Sequence, residues 1–152
     1  MNSKFTNSLG IAKSEKDTKV VVAMSGGVDS AVAAAILHSQ NYDVFGVTLR
    51  LYTEADSTAL RSRRTCCGIE DVADAREAAQ RIGIPHYVLN MEREFERDVI
   101  EVFASTYANG RTPNPCLECN DRVKFHTLLD RARALGADLL ATGHYAQTAG
   151  FH

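Results

Sequence analysis

Two short stretches of this 152-residue sequence hold side chains whose types and spacing serve chemistry. The first is Ser25-Gly26-Gly27-Val28-Asp29-Ser30; the second is Cys116-Leu117-Glu118-Cys119, which follows Pro113 and Pro115. A glycine pair between a buried strand and a helix lets an anion reach backbone N–H groups where the positive end of the helix dipole also lies. Such a place suits phosphate, and the hydroxyls of Ser25 and Ser30 can add donors. Asp29 repels an anion, so its expected work is to hold the loop through backbone N–H groups or to help ligate Mg²⁺ at the phosphates. The plainer alternative is a Gly-Gly turn in which Asp29 or Ser30 only caps the helix. The common nucleotide loops, Gly-x-x-x-x-Gly-Lys-Ser/Thr and Gly-x-Gly-x-x-Gly, do not fit, and kinase, GTPase and dehydrogenase readings fall with them.

In the second stretch the prolines stiffen a loop that delivers Cys119 to the start of a helix, for which Asn120 or Asp121 is the expected N-cap. A helix N-terminus with Arg122 and Lys124 nearby favours a thiolate, which makes Cys119 a nucleophile. Three readings stay open for Cys116 and Cys119: a catalytic thiol, half of a metal or iron–sulfur site, and a reversible disulfide. Two thiolates are half a tetrahedral set, and no second ligand pair at zinc-finger spacing follows. Cys66 and Cys67 are adjacent, and adjacent cysteines seldom chelate one ion comfortably.

The elements that must carry these residues alternate along the chain. Residues 20–24 form a continuous apolar run, the mark of a strand covered on both faces. Val28, Ala31, Val32, Ala35 and Ile36 follow a helical period after the glycine loop. A second strand is expected over residues 44–49, and residues 52–64 read as a long loop. Val72, Ala75, Ala79 and Ile82 mark a helix that Gly83 and Pro85 stop, before a strand over residues 86–90. Phe95, Val99, Val102 and Phe103 give the next helical stripe; Phe125, Leu128, Leu129, Ala132 and Leu135 give the last. A short strand over residues 139–141 leads to Thr142-Gly143-His144-Tyr145. This βαβαβαβ order predicts an α/β fold: an open parallel sheet with right-handed crossovers and helices on both faces. Residues 1–18 are polar and read as a disordered leader, so the fold is expected over residues 19–152, and the early stop after the fourth strand reads as a fragment.

At 45% hydrophobic and 24% charged, the chain has the balance of one globular domain. A formal charge of −2 gives no global footprint for nucleic acid, so RNA contact would need local basic patches. Neither a bilayer-spanning run nor a secretory signal is present, and four cysteines without a scaffold spacing fit a reducing, cytoplasmic setting. Arg61, Arg63 and Arg64 serve equally as phosphate contacts or as a solvated loop. His38, His86 and His126 read as ordinary surface or core residues, and Tyr42 and Tyr52 as packing at strand ends.

Taken together, the hexapeptide resembles the loop of the PP-loop ATP pyrophosphatases, whose fold is adenine-nucleotide alpha-hydrolase-like. Three ordered motifs, over residues 23–30, 110–125 and 141–145, resemble the tRNA-specific 2-thiouridylase family across most of the chain. The resemblance implies ATP binding by Ala23, Met24, Ser25, Gly26, Gly27, Val28, Asp29 and Ser30, with backbone contacts from Leu49 and Gly143. It implies contact of Asn114, Pro115 and Cys116 with the target uridine, and Cys119 as nucleophile. The implied reaction uses ATP and Mg²⁺, tRNA with a wobble uridine, and a persulfide sulfur-carrier protein. The uracil C2 oxygen is adenylated, then replaced by sulfur. The family's second cysteine lies beyond residue 152. Many relatives carry Asp where this sequence has Cys116, which takes an acid/base role away from that position and admits an iron–sulfur cluster on Cys116 and Cys119. The competing assignments are another tRNA-modifying PP-loop enzyme and a non-catalytic nucleotide-binding or redox module. His144 is expected to shape the ATP pocket.

Overall fold

A computed structural model describes residues 6–51 and 69–146. Four strands, β1 (Lys19–Ala23), β2 (Asp43–Arg50), β3 (His86–Asn90) and β4 (Leu139–Thr142), form one parallel sheet in the order β3-β2-β1-β4. The chain builds outward from β1 through helix α1 (Val28–Ser39) to β2, and through α2 (Ile69–Ile82) to β3. It then returns across the sheet to set β4 on the other side of β1. The reversal makes the β1/β4 boundary a topological switch point, where open α/β sheets bind ligands at the C-terminal ends of their strands.

Alternation along β1 explains why residues 20–24 are apolar without a break. Val20 and Val22 pack on Ala34 and Leu37 of α1 and Ala75 and Ala79 of α2, whereas Val21 faces the opposite layer. These valines are 0–1% exposed, and burial of each is worth about 1.5–3 kcal/mol. The opposite layer comes from two composite helices. Helix α3, residues 92–108, joins α-helix Glu92–Phe95, a π-helical turn Glu96–Ile100 and α-helix Glu101–Ala108. Helix α4, residues 115–134, joins α-helix Pro115–Glu118, a π-helical stretch Cys119–Thr127 and α-helix Leu128–Ala134. Phe95 and Val99 of α3 meet Val123, Leu128 and Ala132 of α4 beneath the sheet. The parallel sheet with helices on both faces is thus as expected.

Three local expectations are corrected. On α1 the stripe of Val28, Val32 and Ile36 points outward, at 73%, 49% and 51% exposure, and the buried face is Ser30, Ala34 and Leu37. A helix apolar on nearly every side is not oriented by its period; the Ser30 hydroxyl orients it, by bonding into the glycine loop. On α4 the buried residues fall at 119, 123, 128 and 132, and the step of five marks the extra residue of the π stretch. That shift leaves Phe125 and Leu135 at 43% and 53% exposure, outside the core stripe assigned to them. Finally, the leader without structure does not hold for residues 6–18. There Asn7 bonds Thr18 Oγ1 at 2.7 Å, Ser8 bonds the Tyr42 hydroxyl at 2.6 Å, and Lys13 pairs with Asp138 at 2.5 Å. The loop over residues 52–64, with Tyr52, Arg61, Arg63 and Arg64, lies outside the described residues, as do Cys66 and Cys67.

Candidate functional site

The chain leaves β1 at Met24, whose N–H donates to Val47 O at 2.8 Å and whose carbonyl accepts from Thr48 Oγ1 at 2.9 Å. It then turns through Gly26, held at φ +78°, where a Cβ would stand 2.7 Å from Asp71 O and 2.9 Å from Asp71 Cα of α2. Gly26 is therefore glycine for two reasons, the left-handed backbone and the approach of another helix's main chain. Gly27, extended at φ −81° and ψ 161°, is the N-cap of α1, and no side chain caps the helix. The capping alternative for Asp29 and Ser30 is corrected here: both stand inside the first turn. The first N–H groups of a helix have no intrahelical acceptor, so this twelve-residue helix presents uncapped donors at its positive end.

Ser30 is 3% exposed and braces the loop: its Oγ accepts from Ser25 N at 3.3 Å and donates to Gly27 O at 3.2 Å. Its proton is directed at Gly27 O, inside the loop. Gly143, just past β4, presses on the same turn, where a Cβ would stand 2.7 Å from Ser30 N. Asp29 Oδ1 accepts from the Tyr145 hydroxyl at 2.7 Å. That bond, and the carboxylate charge behind it, push the Tyr145 phenol above its ordinary value.

A cleft of about 210 Å³ opens between these parts. Of the ten residues expected at a nucleotide, Ala23, Met24, Ser25, Gly27, Asp29, Ser30, Leu49 and Gly143 line it. Gly26 is turned against α2, and the Val28 side chain points to solvent. His144, expected to shape the pocket, also lines it, and the structure adds Val47, Lys124 and Thr142. His144 Nδ1 lies 2.9 Å from Thr142 Oγ1, and its ring stands 5.5 Å from that of Phe125. Lys124 makes no ion pair among the described residues, and it is the cation of the lining, opposite the carboxylate of Asp29. Its place was hidden from the sequence because the π stretch sets which residues of α4 face the cleft. A wider depression of about 520 Å³, lined by Ser14, Lys16 and Asn41 among others, lies at the opposite, N-terminal end of the strands. It lacks a glycine loop and a helix N-terminus, and the cleft carries the chemistry.

The cysteine segment departs from expectation. Its helix starts at Pro115, with Asn114 as N-cap accepting from Leu117 N at 3.3 Å; Asn120 and Asp121 lie inside the helix. Pro115 at the first position is pre-set for a helix start, and Asn114 supplies the cap, so the helix begins a turn earlier. Cys116 is exposed in this first turn, whereas Cys119 is 8% exposed in the apolar layer with Val99 and Val123. Asn114, Pro115, Cys116 and Cys119 stand outside the cleft lining, whereas Lys124, further along the same helix, is part of it.

Among the described residues no group of three or more His, Cys, Asp or Glu side chains could hold a metal ion. Asp29 fits one ligand position of a Mg²⁺ that phosphates and water otherwise complete. The two thiols do not fit an iron–sulfur cluster as they stand, since four are the usual set and one of these is buried among apolar side chains. No helix among the described residues is long and apolar enough to cross a membrane.

Comparison with known proteins agrees with the motifs. The family described as the tRNA methyl transferase HUP domain matches residues 18–150. The tRNA-specific 2-thiouridylase MnmA of Rhodospirillum centenum is 56% identical over 141 residues, covering 93% of this chain and 36% of that protein. That of Paracoccus denitrificans is 57% identical over 139 residues, covering 91% and 35%. The chain thus spans about a third of the length of the curated relatives it matches. Among solved structures, a predicted subunit of tRNA methyltransferase from Methanocaldococcus jannaschii superposes with a TM-score of 0.53 at 20% identity, over 84% of this chain and 53% of that one. A glutamine-dependent NAD+ synthetase from Acinetobacter baumannii gives 0.51 at 20% identity, over 82% and 21%, and these two likenesses speak for the fold alone. With a family match over nearly all of its length and this fold, the chain belongs to the tRNA methyl transferase HUP-domain family.

Proposed function

We propose that this chain is the ATP-handling part of a tRNA 2-thiouridylase, in which the glycine loop binds ATP and the C2 oxygen of a wobble uridine is adenylated for replacement by sulfur. The observation that carries this reading is the uncapped N-terminus of α1 facing a cleft at the switch point of the sheet. The similarity to MnmA proteins supplies the substrate, a tRNA. Amides of the loop and the first turn of α1 hold the phosphates, and Lys124 faces the negative charge they bring. Mg²⁺ arriving with ATP would be held by the phosphates with Asp29 as one protein ligand, and would supply positive charge that favours departure of pyrophosphate.

The uracil O2 attacks the α-phosphorus and pyrophosphate leaves with the bonding pair. The terminal sulfur of a cysteine persulfide, charged by a sulfur-carrier protein, then adds at C2, and AMP departs with the former O2. The Cys119 thiolate next attacks the inner sulfur of the resulting C2–S–S linkage, so that the S–S bond breaks. The outer sulfur stays on C2 as 2-thiouridine, and Cys119 and the persulfide-bearing cysteine end as a disulfide. This chain's residues position the groups; orientation alone accounts for a large share of such a rate. For the uridine to reach the site it must leave its anticodon stack. Cys119 is the proposed nucleophile and Asn114, Pro115 and Cys116 the proposed contacts to the base. Since Cys119 is 8% exposed here, the first turn of α4 must open for its thiol to react. The two cysteines are not used as cluster ligands in this reading, and the reaction takes place in the cytoplasm.

The test uses the full-length enzyme. Nucleoside mass analysis of tRNA incubated with ATP, Mg²⁺ and a persulfide donor should show 2-thiouridine with the unsubstituted protein and none with Cys119→Ser. Undiminished 2-thiouridine from Cys119→Ser removes that residue from the chemistry, and absence of the product from the unsubstituted protein removes the reaction.

A further inference from the structure

Thr48 is the polar residue of an otherwise apolar stretch of β2, Val44-Phe45-Gly46-Val47-Thr48-Leu49, and it is 0% exposed. A hydroxyl buried in a central strand costs stability unless its hydrogen bonds are made. Both are made here. Thr48 Oγ1 donates to Met24 O at 2.9 Å, and since a hydroxyl has one proton, the 2.8 Å contact with His86 Nε2 must be a bond donated by the histidine. A relay of three residues therefore crosses the sheet from β3 through β2 to the end of β1.

The carbonyl it reaches is no ordinary one. The β1/β2 register ends at the pair Ala23↔Val47, so Met24 is the residue at which the backbone leaves the ladder and becomes the glycine loop. A side chain supplies the bond that the next ladder rung would have supplied. The Met24 side chain is held as closely: a Cβ on Gly46 would stand 2.5 Å from Met24 Sδ and 3.2 Å from His86 Cδ2. Main chain and side chain of Met24 are both fixed by β2 and β3 immediately before the loop amides begin.

We propose that Thr48 and His86 are positioning residues of the nucleotide site, which fix the Met24 carbonyl and through it the direction in which the loop of Ser25, Gly26 and Gly27 presents its N–H groups. This rests on the nucleotide-binding reading of the cleft. A loop free to wander binds phosphate with an affinity reduced by the fraction of time it spends in the competent form. Thr48 touches no nucleotide, and its effect passes through the backbone.

Calorimetric titration of the chain with Mg·ATP, well below its thermal unfolding midpoint, tests the relay. Thr48→Val keeps shape but leaves Met24 O and His86 Nε2–H without a partner; about tenfold weaker binding is expected, the equivalent of one lost hydrogen bond. Thr48→Ser, which keeps the hydroxyl, should bind almost as the unsubstituted chain does. His86→Phe should weaken binding alone and add little in the Thr48→Val background, because both act through one carbonyl. If Thr48→Val does not fold, the Thr48→Ser and His86→Phe arms still decide. Unchanged affinity in Thr48→Val or His86→Phe, or fully additive losses, overturns the relay alone. Absence of Mg·ATP binding by the unsubstituted chain overturns the nucleotide-site reading and the relay with it.

Discussion

The glycine loop and the cysteine helix stand at neighbouring corners of one fold and were built by different rules. The loop is a backbone device: its donors are main-chain amides, its shape is held by Ser30, Gly26 and Thr48, and little in it depends on which way a side chain points. The helix is a side-chain device, whose thiols face the core or solvent according to a register set by packing and by nine residues of π-helix. A site made of backbone is ready before its ligand arrives. A site made of thiols on a helix, with one buried, must move first.

The largest effect that would break this contrast is expected at the glycines. Gly26→Ala sets a methyl group 2.7 Å from Asp71 O in a backbone of φ +78°, and Gly143→Ala sets one 2.7 Å from Ser30 N. Each should remove Mg·ATP binding and lower stability by about 1–3 kcal/mol or more from strain and displacement. Calorimetry and thermal unfolding read both losses, and a Gly143→Ala chain that binds normally would show the cradle to be softer than described.

A smaller effect sharpens the helix side. Asn114→Ala removes the N-cap of α4 and should cost about 1 kcal/mol in denaturant unfolding, whereas Asn120→Ala, inside the helix, should cost much less. The reverse order would restore the helix start after Cys119. A third expectation concerns the thiols: with the fold intact, an aromatic disulfide reagent should modify Cys116 well before Cys119, as peptide mass mapping would show.

The smallest effect is a pH slope. Burial first, and the charge of Arg76 second, hold the His86 imidazole below its ordinary value of 6.5. Its Nδ1 is buried with no hydrogen-bond partner among the described residues, so a second proton would be a donor without an acceptor. Between the folded and ordinary values the unfolded chain binds more protons, so this contribution to stability is complete above pH 6.5 and is lost as pH falls below it. Thermal melts between pH 7.5 and 5.5 (about two units around that value) should show the decline, and His86→Gln should flatten it. Asp138, held low by the Lys13 hydrogen bond and then by the Lys19 amide, acts only below its ordinary 3.8 and does not confuse the window.

How far the sequence carried follows the same division. The parallel sheet was legible because residues 20–24 are apolar without a break, which needs cover on both faces, and because Ser25 to Ser30 falls between a strand period and a helix period. Eight of ten expected nucleotide residues line the cleft, since a strand–loop–helix pattern fixes a backbone site without knowledge of the rest. The outward turn of Val28, Val32 and Ile36 was not legible, because a helix apolar on all sides has no preferred face until Ser30 bonds the loop. The places of Cys119, Lys124 and Phe125 were not legible either, because an inserted π residue carries no composition signal. Thr48 did leave one: a hydroxyl in an apolar run asks for a partner, though not which one.

The central claim is that phosphate sits on the uncapped first turn of α1. Backbone amide NMR of the chain titrated with Mg·ATP tests it residue by residue. The account predicts the largest shifts at Ser25, Gly26, Gly27, Val28, Asp29 and Ser30, with Gly143 and His144 following. Shifts gathered instead around Ser14, Lys16 and Asn41, at the opposite end of the strands, would contradict it.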